Sequence, residues 1–277
     1  MKCYGVILLT IFLTLFGNIK AKSYDGGIDA DPSGRVFGGY LLGREDFYKN
    51  NFTVLVLHYA DPSDCEPDSS CTGVIITADW IVSTAYCLAD KIVEGFVLFI
   101  TGADGTIYRR SVTEVQTAPG YDSTTFENNV GLARVDTPYD FTTGALSFIY
   151  EPDSSWDKTT FLNQKLSVAG YRDPYTTLSN YDFEPTAFGV SPRDPAVYAP
   201  CADLPDRPNE VCGATVDNEK YVVCQNDMGA ALYPVDSDGA FYFYGLASYT
   251  LTEDCVGPTI YVVMSAYTDW IVSVLSA

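Results

Sequence analysis

The sequence predicts an all-β protein, either a barrel or a sandwich, that ends in a helix. Short runs rich in β-branched and aromatic residues recur along the chain, and Gly, Pro, Asp or Asn bounds most of them. Many short strands separated by turns are typical of barrels and sandwiches. The last run has the apolar spacing of a helix instead. The predicted strands lie at 52–59, 72–77, 80–85, 95–100, 130–135, 165–171, 221–224, 241–249 and 259–264, and the predicted helix lies at 266–275.

Size and composition favour a folded chain with an acidic surface. The chain has 277 residues, of which 47% are hydrophobic, so it can bury a substantial core in one large or two small domains. The formal net charge of −20 argues against nucleic acid or an anionic membrane as a partner. Two interpretations remain open, a solvated acidic surface and a surface that binds a basic partner.

Residues 1–21 are predicted to be a secretory signal peptide. Lys2 precedes an apolar run, and the small residue Ala21 ends it. An anchoring helix is the weaker alternative, because the run is shorter than the roughly 20 residues that a bilayer needs. Residues 22–35 are polar and rich in turn formers, which predicts a cleavable pro-segment. We therefore expect a secreted, extracellular protein with no membrane partner.

Secretion predicts that the cysteines form disulfides. The chain has eight cysteines, and Cys3 leaves with the signal peptide, so seven remain. An odd number leaves one cysteine over, either free or joined to another chain. Asn51, Phe52 and Thr53 form an N-glycosylation acceptor in the same compartment, with Asn51 as the predicted site.

Four stretches follow one another in an order that is shared with a large protein family. They are Arg35–Gly39, Cys71–Cys87, Cys224–Gly229 and Tyr267–Ile271. They read R-V-F-G-G, C-T-G-V-I-I-T-A-D-W-I-V-S-T-A-Y-C, C-Q-N-D-M-G and Y-T-D-W-I. Together they resemble the activation site, the segment ending in Ala-His-Cys, the nucleophile loop Cys-Gln-Gly-Asp-Ser-Gly and the C-terminal helix of the trypsin and chymotrypsin family. The resemblance covers nearly all of residues 35–277.

This resemblance implies a trypsin-like domain over residues 36–277. The implied fold is two six-stranded antiparallel β-barrels packed side by side. The N-terminal barrel would span about 36–150, and the C-terminal barrel with the terminal helix would span about 151–277.

The resemblance also implies a set of disulfides. Each would close a short loop and stabilise the fold by roughly 2–4 kcal/mol. Cys65 has no partner in the family, so it is either an unpaired thiol or the link of a disulfide-bonded dimer. The implied pairs are Cys71 with Cys87, Cys201 with Cys212, and Cys224 with Cys255.

All three catalytic positions of the family hold other residues here. The family needs a serine nucleophile, a histidine base and an aspartate that orients the histidine. By resemblance these positions are Met228, Tyr86 and Asn129. A thioether has no proton to lose, an amide brings no negative charge, and a phenol with a pKa near about 10 is a poor base at neutral pH. The sole histidine, His58, lies in a predicted strand and is interpreted as structural.

The oxyanion and specificity-pocket positions of the family also hold residues that are unsuited to catalysis. Asn226 stands at the oxyanion position, where a side chain disfavours the backbone geometry that glycine permits. Val222 stands at the floor of the specificity pocket and offers no counter-ion to a basic side chain. Thr250 and Thr259 stand at the pocket walls, which are usually glycines, and would shallow or block the pocket.

The activation residues are retained. Cleavage after Arg35 would release the amine of Val36, and Asp227 stands where the family's aspartate accepts that amine. A buried carboxylate–ammonium pair is costly unless both partners are present. Two interpretations remain open: cleavage still orders the protein, or these residues have no present use.

The sequence therefore predicts a secreted serine protease homologue that is not an enzyme and acts by binding a protein. It would be a cofactor, decoy or regulator of a protease pathway, or a venom or secretion component. One alternative is a structural or matrix protein, because 21 tyrosines could invite cross-linking. The other is an active serine hydrolase with a relocated nucleophile. No metal site or cofactor is expected, since one histidine and disulfide-bonded cysteines cannot supply zinc ligands.

Overall fold

The structure is a computed structural model of the 277-residue chain. The regular secondary structure of its described residues is antiparallel strand for the most part, which confirms the predicted all-β class. None of the helices in these parts is long and apolar enough to cross a membrane. The structure describes residues 40–41, 51–64, 66–149, 162, 166–171, 185–193, 199–202, 204, 207–215, 223–224, 227–234, 242–251 and 257–277.

After a two-residue strand, six antiparallel strands close into a barrel. The elements are β1 (Tyr40–Leu41), β2 (Thr53–His58), β3 (Ser69–Ile75), β4 (Trp80–Ser83), β5 (Phe96–Thr101), β6 (Ile107–Thr117) and β7 (Gly131–Val135). The strand order around the barrel is β2-β3-β4-β7-β6-β5. The closed barrel is the first of the two that the resemblance implied.

The second half of the described chain forms a sheet of seven strands. Its own strands are β8 (Leu166–Tyr171), β9 (Pro185–Arg193), β10 (Glu210–Thr215), β11 (Ala231–Pro234), β12 (Gly245–Thr250) and β13 (Thr259–Val263). The order is β1-β9-β10-β13-β12-β11-β8, and β8 also pairs with β9. The pairings therefore return to β9 and join six strands in a closed cycle. β1 adds to β9, so a segment of the predicted N-terminal unit pairs with the second sheet.

β2 shows how the two halves are held together. Successive side chains of a strand point to opposite faces. Val54 and Val56 lie in the main core cluster, while Leu55 and Leu57 pack against Tyr171 on β8. Both faces of β2 are therefore buried, which explains the nearly unbroken apolar run at 52–59. The Tyr171 hydroxyl also donates a hydrogen bond of 3.0 Å to the Thr53 carbonyl.

The helices of the described residues are short. Two 3₁₀ turns span Val93–Gly95 and Ala199–Cys201, and a third, Met264–Tyr267, leads into the terminal helix. The α-helices within the described residues are α1 (Ala85–Leu88) and α2 (Thr268–Leu275). α2 buries Ile271 against the main core cluster, which confirms the predicted C-terminal helix.

The strand predicted at 221–224 is wrong for the part that the structure describes. Val223 and Cys224 are buried but lie outside any strand. The backbone of Cys224 is bonded to the next turn instead: its N–H donates to Asp227 Oδ2 at 3.0 Å, and its carbonyl accepts from Asp227 N at 2.9 Å. The strand predicted at 241–249 begins only at Gly245 within the described residues.

Two of the three implied disulfides lie within the described residues. Cys71–Cys87 joins β3 to α1 across a sequence separation of 16, and Cys201–Cys212 joins a 3₁₀ turn to β10 across 11. Cys224 is also disulfide-bonded, while its implied partner Cys255 lies outside the described residues. No described cysteine is free.

Candidate functional site

Asn129 ties two elements of the site together. It is completely buried at the end of the loop that joins β6 to β7. Its Oδ1 accepts a 2.8 Å hydrogen bond from the backbone N–H of Tyr86 on α1. Its Nδ2 donates to the hydroxyl of Ser248 on β12 at 2.9 Å and to the Ser248 carbonyl at 3.3 Å. An aspartate could not make the last bond, because a carboxylate has no proton to donate to a carbonyl.

Met228 is a core residue. Only 3% of it is exposed, and it belongs to the main apolar cluster of the molecule. Its carbonyl accepts from Thr72 N on β3 at 2.9 Å and lies 3.6 Å from Cys87 Sγ. Since Cys87 follows Tyr86, the structure brings Met228, Tyr86 and Asn129 into one region. A buried thioether there can pack but cannot attack a carbonyl.

Gly229 fixes the shape of the turn after Met228. Its φ is +89°, and a Cβ on this residue would lie 2.0 Å from Thr72 O and 2.5 Å from Ser83 Oγ. Its N–H donates to Ala247 O at 2.8 Å. Only glycine accommodates both the dihedral angle and the close approach of β3.

Asp227 is buried at the start of the same turn. Its Oδ2 accepts from the Cys224 backbone, and it is 1% exposed. Its charge also acts on Tyr261: burial raises the pKa of that phenol, the Asp227 carboxylate raises it further, and a hydrogen bond with Thr259 opposes the shift. Arg35 and Val36, the predicted partners of Asp227 in activation, lie outside the described residues.

The two predicted pocket-wall residues are neighbours in the second sheet. Thr250 on β12 is paired directly with Thr259 on β13. Directly opposed residues carry their side chains on one face of a sheet, so the two threonines lie side by side. Thr259 is buried and Thr250 is half-buried. Val222 and Asn226, the predicted pocket floor and oxyanion position, lie outside the described residues.

Three aromatic rings form a stack that connects Tyr86 on α1 through Phe126 to Tyr249 on β12. The ring of Tyr86, which is 44% exposed, meets Phe126 edge-on with centroids 5.6 Å apart. Phe126 in turn stacks on Tyr249 of β12 at 5.5 Å and an interplanar angle of 21°. Phe126 therefore fills the space between the histidine-position residue and the second sheet. Its φ of +57° is left-handed, which is uncommon for a bulky residue.

A charged bridge holds the β6–β7 loop, residues 118–130, against β10. Arg207 Nη1 donates to Thr125 O at 3.0 Å and to Glu210 Oε1 at 2.8 Å. Tyr249 completes the bridge by donating its hydroxyl to Glu210 Oε2 at 3.1 Å. Burial raises the pKa of the Tyr249 phenol, and the Glu210 carboxylate adds to the shift.

A second, uncharged bridge lies beside the first. The Tyr267 hydroxyl donates to Asn128 Oδ1 at 3.1 Å and is also hydrogen-bonded to Asn209 Nδ2. Burial raises the pKa of Tyr267 to about 12. Asn128, like Phe126, has a positive φ, of +53°. Two left-handed residues in one loop are thus held by contacts with the second sheet.

Sequence reasoning missed Phe126, Arg207, Glu210 and Tyr267 as parts of the site. Apart from the ion pair of Arg207 with Glu210, their contacts join residues far apart in the chain, as in Arg207 with Thr125 and Tyr267 with Asn128, which are 82 and 139 positions apart. No local periodicity or spacing reports such contacts. A signal was available only for Phe126, which by the resemblance lies three residues before the aspartate position.

His58 lies away from the site and is buried on β2. Its Nδ1 is 2.8 Å from Asp68 Oδ1, and its Nε2 is 3.2 Å from the Ile92 carbonyl. Both ring nitrogens have partners, which agrees with the structural interpretation of this histidine.

Asn51, the predicted glycosylation site, is buried and hydrogen-bonded. Asn51 is 4% exposed, and its Nδ2 donates to Ala145 O at 3.1 Å and Gly144 O at 3.4 Å. Its Oδ1 accepts from the Ser147 hydroxyl. A glycan is attached through Nδ2, so glycosylation of Asn51 would have to displace these two hydrogen bonds, and it stays a prediction.

The remaining predictions fall on other parts of the chain. Cys65, the predicted unpaired or intermolecular cysteine, lies outside the described residues. Among the residues that the structure does describe, no group of three or more His, Cys, Asp or Glu side chains is arranged to hold a metal ion.

Comparisons with known proteins place this geometry in a family. The sequence model of the trypsin family, described as Trypsin, matches residues 43–271. The chain belongs to the trypsin family.

Solved structures with the same fold include proteins of two organisms. Human heparin binding protein is 18% identical with a TM-score of 0.65, and the match covers 87% of this chain and 97% of that one. The scabies mite inactivated protease paralogue S-I1 is 18% identical with a TM-score of 0.68, covering 86% and 99%. The scabies mite inactivated protease paralogue S-D1 is 15% identical with a TM-score of 0.65, covering 83% and 94%. At these identities the likeness shows the fold alone.

Proposed function

We propose that this protein is a secreted, catalytically inactive member of the trypsin family that acts by binding another protein. The observation that carries the proposal is Met228, a buried core residue at the position of the family's nucleophile. Tyr86 and Asn129 at the other two catalytic positions support it.

The nearby hydroxyls do not offer a substitute nucleophile. Ser83 Oγ donates to Thr72 O at 2.6 Å and is completely buried. Ser248 Oγ accepts from Asn129 and is also buried. A serine nucleophile needs an adjacent base, and the sole histidine is engaged by Asp68 and Ile92 on another side of the barrel. In a related chemistry, loss of the serine or the histidine alone costs on the order of 10⁶ in turnover.

The rings of Tyr86, Phe126 and Tyr249 form a closed aromatic rim at the site, which we call the rim. The rim supports a role other than peptide hydrolysis. Phe126 occupies the space between Tyr86 and Tyr249, and Arg207 and Tyr267 hold its loop in place. An extended substrate would have to displace this stack. Binding by exposed loops and surface residues is the use that remains for the scaffold.

Secretion is the second part of the proposal. The predicted signal peptide at residues 1–21 and the disulfides Cys71–Cys87 and Cys201–Cys212 support it, because disulfides persist in oxidising compartments. Two of the structural neighbours are named as inactivated protease paralogues, which supports a non-catalytic role on this fold.

A serine-directed fluorophosphonate tests the inactivity. We would label purified mature protein, both uncut and cut after Arg35, beside active trypsin as the control. The expected result is no label on this protein and no hydrolysis of denatured casein. Stoichiometric labelling would overturn the proposal and would locate a different nucleophilic serine by mass spectrometry of the labelled peptide.

A further inference from the structure

The buried histidine of β2 lies between two loops of the first barrel. His58 is 4% exposed and is the sole histidine of the chain. Its Nδ1 lies 2.8 Å from Asp68 Oδ1, in the loop between β2 and β3. Its Nε2 lies 3.2 Å from the carbonyl oxygen of Ile92, on the segment that precedes β5. The imidazole therefore joins one loop to the other.

Both polar neighbours of the ring are hydrogen-bond acceptors. A carboxylate and a carbonyl oxygen can only accept, whereas a neutral imidazole has one N–H and an imidazolium has two. A neutral ring can therefore donate to Asp68 or to Ile92, and its other nitrogen then presents a lone pair to an oxygen. Only the imidazolium makes both hydrogen bonds at the observed distances, and its charge then lies beside the Asp68 carboxylate.

The turn before β5 packs directly against the ring. A Cβ built on Gly95 would lie 2.8 Å from His58 Nε2 and 2.3 Å from Tyr59 O. Gly95 N donates to Ile92 O at 3.1 Å, and Tyr59 N donates to Gly95 O at 3.0 Å. The Ile92 carbonyl thus keeps one donor when the ring is neutral. The cost of losing the ring proton falls on the Nε2 lone pair, which would face an oxygen inside the protein.

Lys91 is a second cation close to the carboxylate. Its Nζ donates to Ser69 Oγ at 2.5 Å. Burial lowers the pKa of Lys91, and the charge of Asp68 opposes that shift. The ammonium is thus bonded to a hydroxyl, whereas Asp68 Oδ1 is bonded to the imidazole of His58.

The other described neighbours of the ring bring no buried charge. Ser69 on β3 and Phe96 on β5 are the cross-strand partners of His58, and the ring centroids of Phe96 and His58 are 4.7 Å apart. Asp90 and Glu94, on the segment before β5, are exposed. Histidine is the side-chain type whose charge changes between about pH 5 and 8, so the imidazole is the group that can switch this cluster.

We propose that His58, Asp68 and Ile92 form a pH-sensitive latch that holds the loop between β2 and β3 against the segment before β5. The protonated ring donates to both loops. When the ring loses a proton, Nδ1 keeps its N–H toward Asp68, because a hydrogen bond to a charged acceptor is the stronger one. The bond from Nε2 to Ile92 is then lost. This regulation does not depend on the proposed binding role.

The direction of the pH dependence follows from the bond to Ile92. That bond exists only in the protonated state of the folded protein, so folding favours the proton on His58. The stability that the bond contributes is therefore present at the acidic end of the histidine range and is lost as the pH rises through that range. The latch is closed at acidic pH and loosens at higher pH.

Nitrogen NMR of the imidazole reads the protonation state directly, because the chain has one histidine. The sample is the full mature protein without a histidine tag, labelled with ¹⁵N-histidine and titrated from pH 5 to pH 8. We expect protons on both ring nitrogens at pH 5 and the Nδ1–H tautomer alone at pH 8. A ring that stays neutral or stays charged over the whole range would overturn the proposal, and so would the Nε2–H tautomer at pH 8.

Hydrogen exchange measures whether the two loops loosen together with the ring. The reporter is the Tyr59 amide, which donates to Gly95 O. Its protection factor, corrected for the intrinsic pH dependence of exchange, should fall roughly fivefold from pH 5.5 to pH 7.5, the factor that one lost hydrogen bond gives. The Ala103 amide is the internal control, because it donates to Ala145 O at 2.8 Å and so joins two other loops of the same barrel. An equal fall at Ala103 would mean a global effect and would overturn the latch.

Two variants assign the effect to the ring and to its charged partner. His58→Gln keeps one donor but cannot titrate, so the fall in protection at Tyr59 should disappear. Asp68→Asn keeps an acceptor and removes the negative charge, so the ring should lose its proton at a lower pH than in wild type. Asp68 is exposed, so this second variant tests the latch even if His58→Gln fails to fold in circular dichroism. An unchanged fall in folded His58→Gln, or an unchanged ring titration in Asp68→Asn, would overturn the proposal.

Discussion

The turn around Met228 and the rim around Tyr86 are built by different kinds of interaction. The turn is fixed by its backbone: Thr72 N donates to Met228 O, Gly229 N donates to Ala247 O, and Ala247 N donates to Ala230 O at 2.9 Å. The rim is fixed by side chains, with Tyr86 on Phe126 and Phe126 on Tyr249.

This difference shows which parts of a catalytic site the fold itself requires. The main-chain path of the turn depends on a close approach of β3, so it constrains Gly229 whether or not chemistry follows. The side chains at the catalytic positions are not set by that close approach, and here they serve packing and hydrogen bonding instead: Met228 lies in the core, and Asn129 bonds Tyr86 and Ser248. The predictions below test this contrast, beginning with the turn.

Replacing Gly229 by alanine should have the largest effect. The added Cβ would lie 2.0 Å from Thr72 O at a φ of +89°, so we expect a loss of about 3–5 kcal/mol in the free energy of unfolding. Gly105→Ala is the matched control: its φ is +80°, but nothing lies within 4 Å of the added Cβ, so it should cost only about 1 kcal/mol. Urea unfolding measures both, and equal midpoints would contradict the argument.

Restoring a serine at position 228 should destabilise the protein and give no activity. Met228→Ser removes a buried apolar side chain and leaves a hydroxyl in the core, which we expect to cost about 2–4 kcal/mol. Met228→Leu keeps the volume and should cost less than about 1.5 kcal/mol. Thermal and urea unfolding give the stabilities. Fluorophosphonate labelling of the serine variant would show that a base is present after all.

Much of the fold could be predicted from the sequence because its strands are buried on one or both faces. β2 is the clearest case, since its apolar run reflects contacts on two sides. β6 was not predicted, although it has 11 residues, because Val112 is its only buried side chain. At 221–224 the opposite happened: Val223 and Cys224 are buried, and the backbone of Cys224 is bound by Asp227 rather than by a strand.

Only those residues of the site that lie in or beside family sequence motifs could be predicted. Motif order located Met228, Tyr86 and Asn129, and the structure brings them together. The partners of Asn129 could not be predicted, because Ser248 is 119 positions away. The surroundings of Asn51 could not be predicted for the same reason: the acceptor pattern is local, whereas Asn51 is hydrogen-bonded to a loop 94 positions further on.

Removing the uncharged bridge formed by the Tyr267 hydroxyl should lower the free energy of unfolding by a smaller amount. This loss should depend on pH. Tyr267→Phe removes the hydroxyl that binds Asn128 and Asn209, which should cost about 1 kcal/mol at pH 7. The folded-state pKa of about 12 is raised above the ordinary value of 10.0. The stability that Tyr267 contributes is therefore fully present below about pH 10 and is lost as the pH rises through 12.

The difference between wild type and Tyr267→Phe should accordingly shrink between pH 10 and pH 12. Urea unfolding at pH 7, 10 and 11 measures it. Tyr108→Phe is the control on the first barrel: the Tyr108 hydroxyl donates to Asp104, an exposed residue outside the bridge, so its substitution should change stability little. A difference that stays constant or grows with pH would show that the Tyr267 hydroxyl does not act as the bridge requires.

Restoring a histidine at position 86 should have the smallest effect on the free energy of unfolding. Tyr86→His changes a side chain that is 44% exposed and whose backbone N–H remains bonded to Asn129, so stability should stay within about 0.5 kcal/mol of wild type. Any small loss would come from the edge contact with Phe126. With an imidazole at position 86, the other two catalytic positions still hold an amide, Asn129, and a thioether, Met228, so hydrolysis should remain absent. Unfolding and casein assays on Tyr86→His beside Met228→Ser therefore compare the two regions directly. If Tyr86→His lowered the free energy of unfolding as much as Met228→Ser, the side chain of Tyr86 would contribute to the core as much as that of Met228. The rim and the turn would then not differ in the way described.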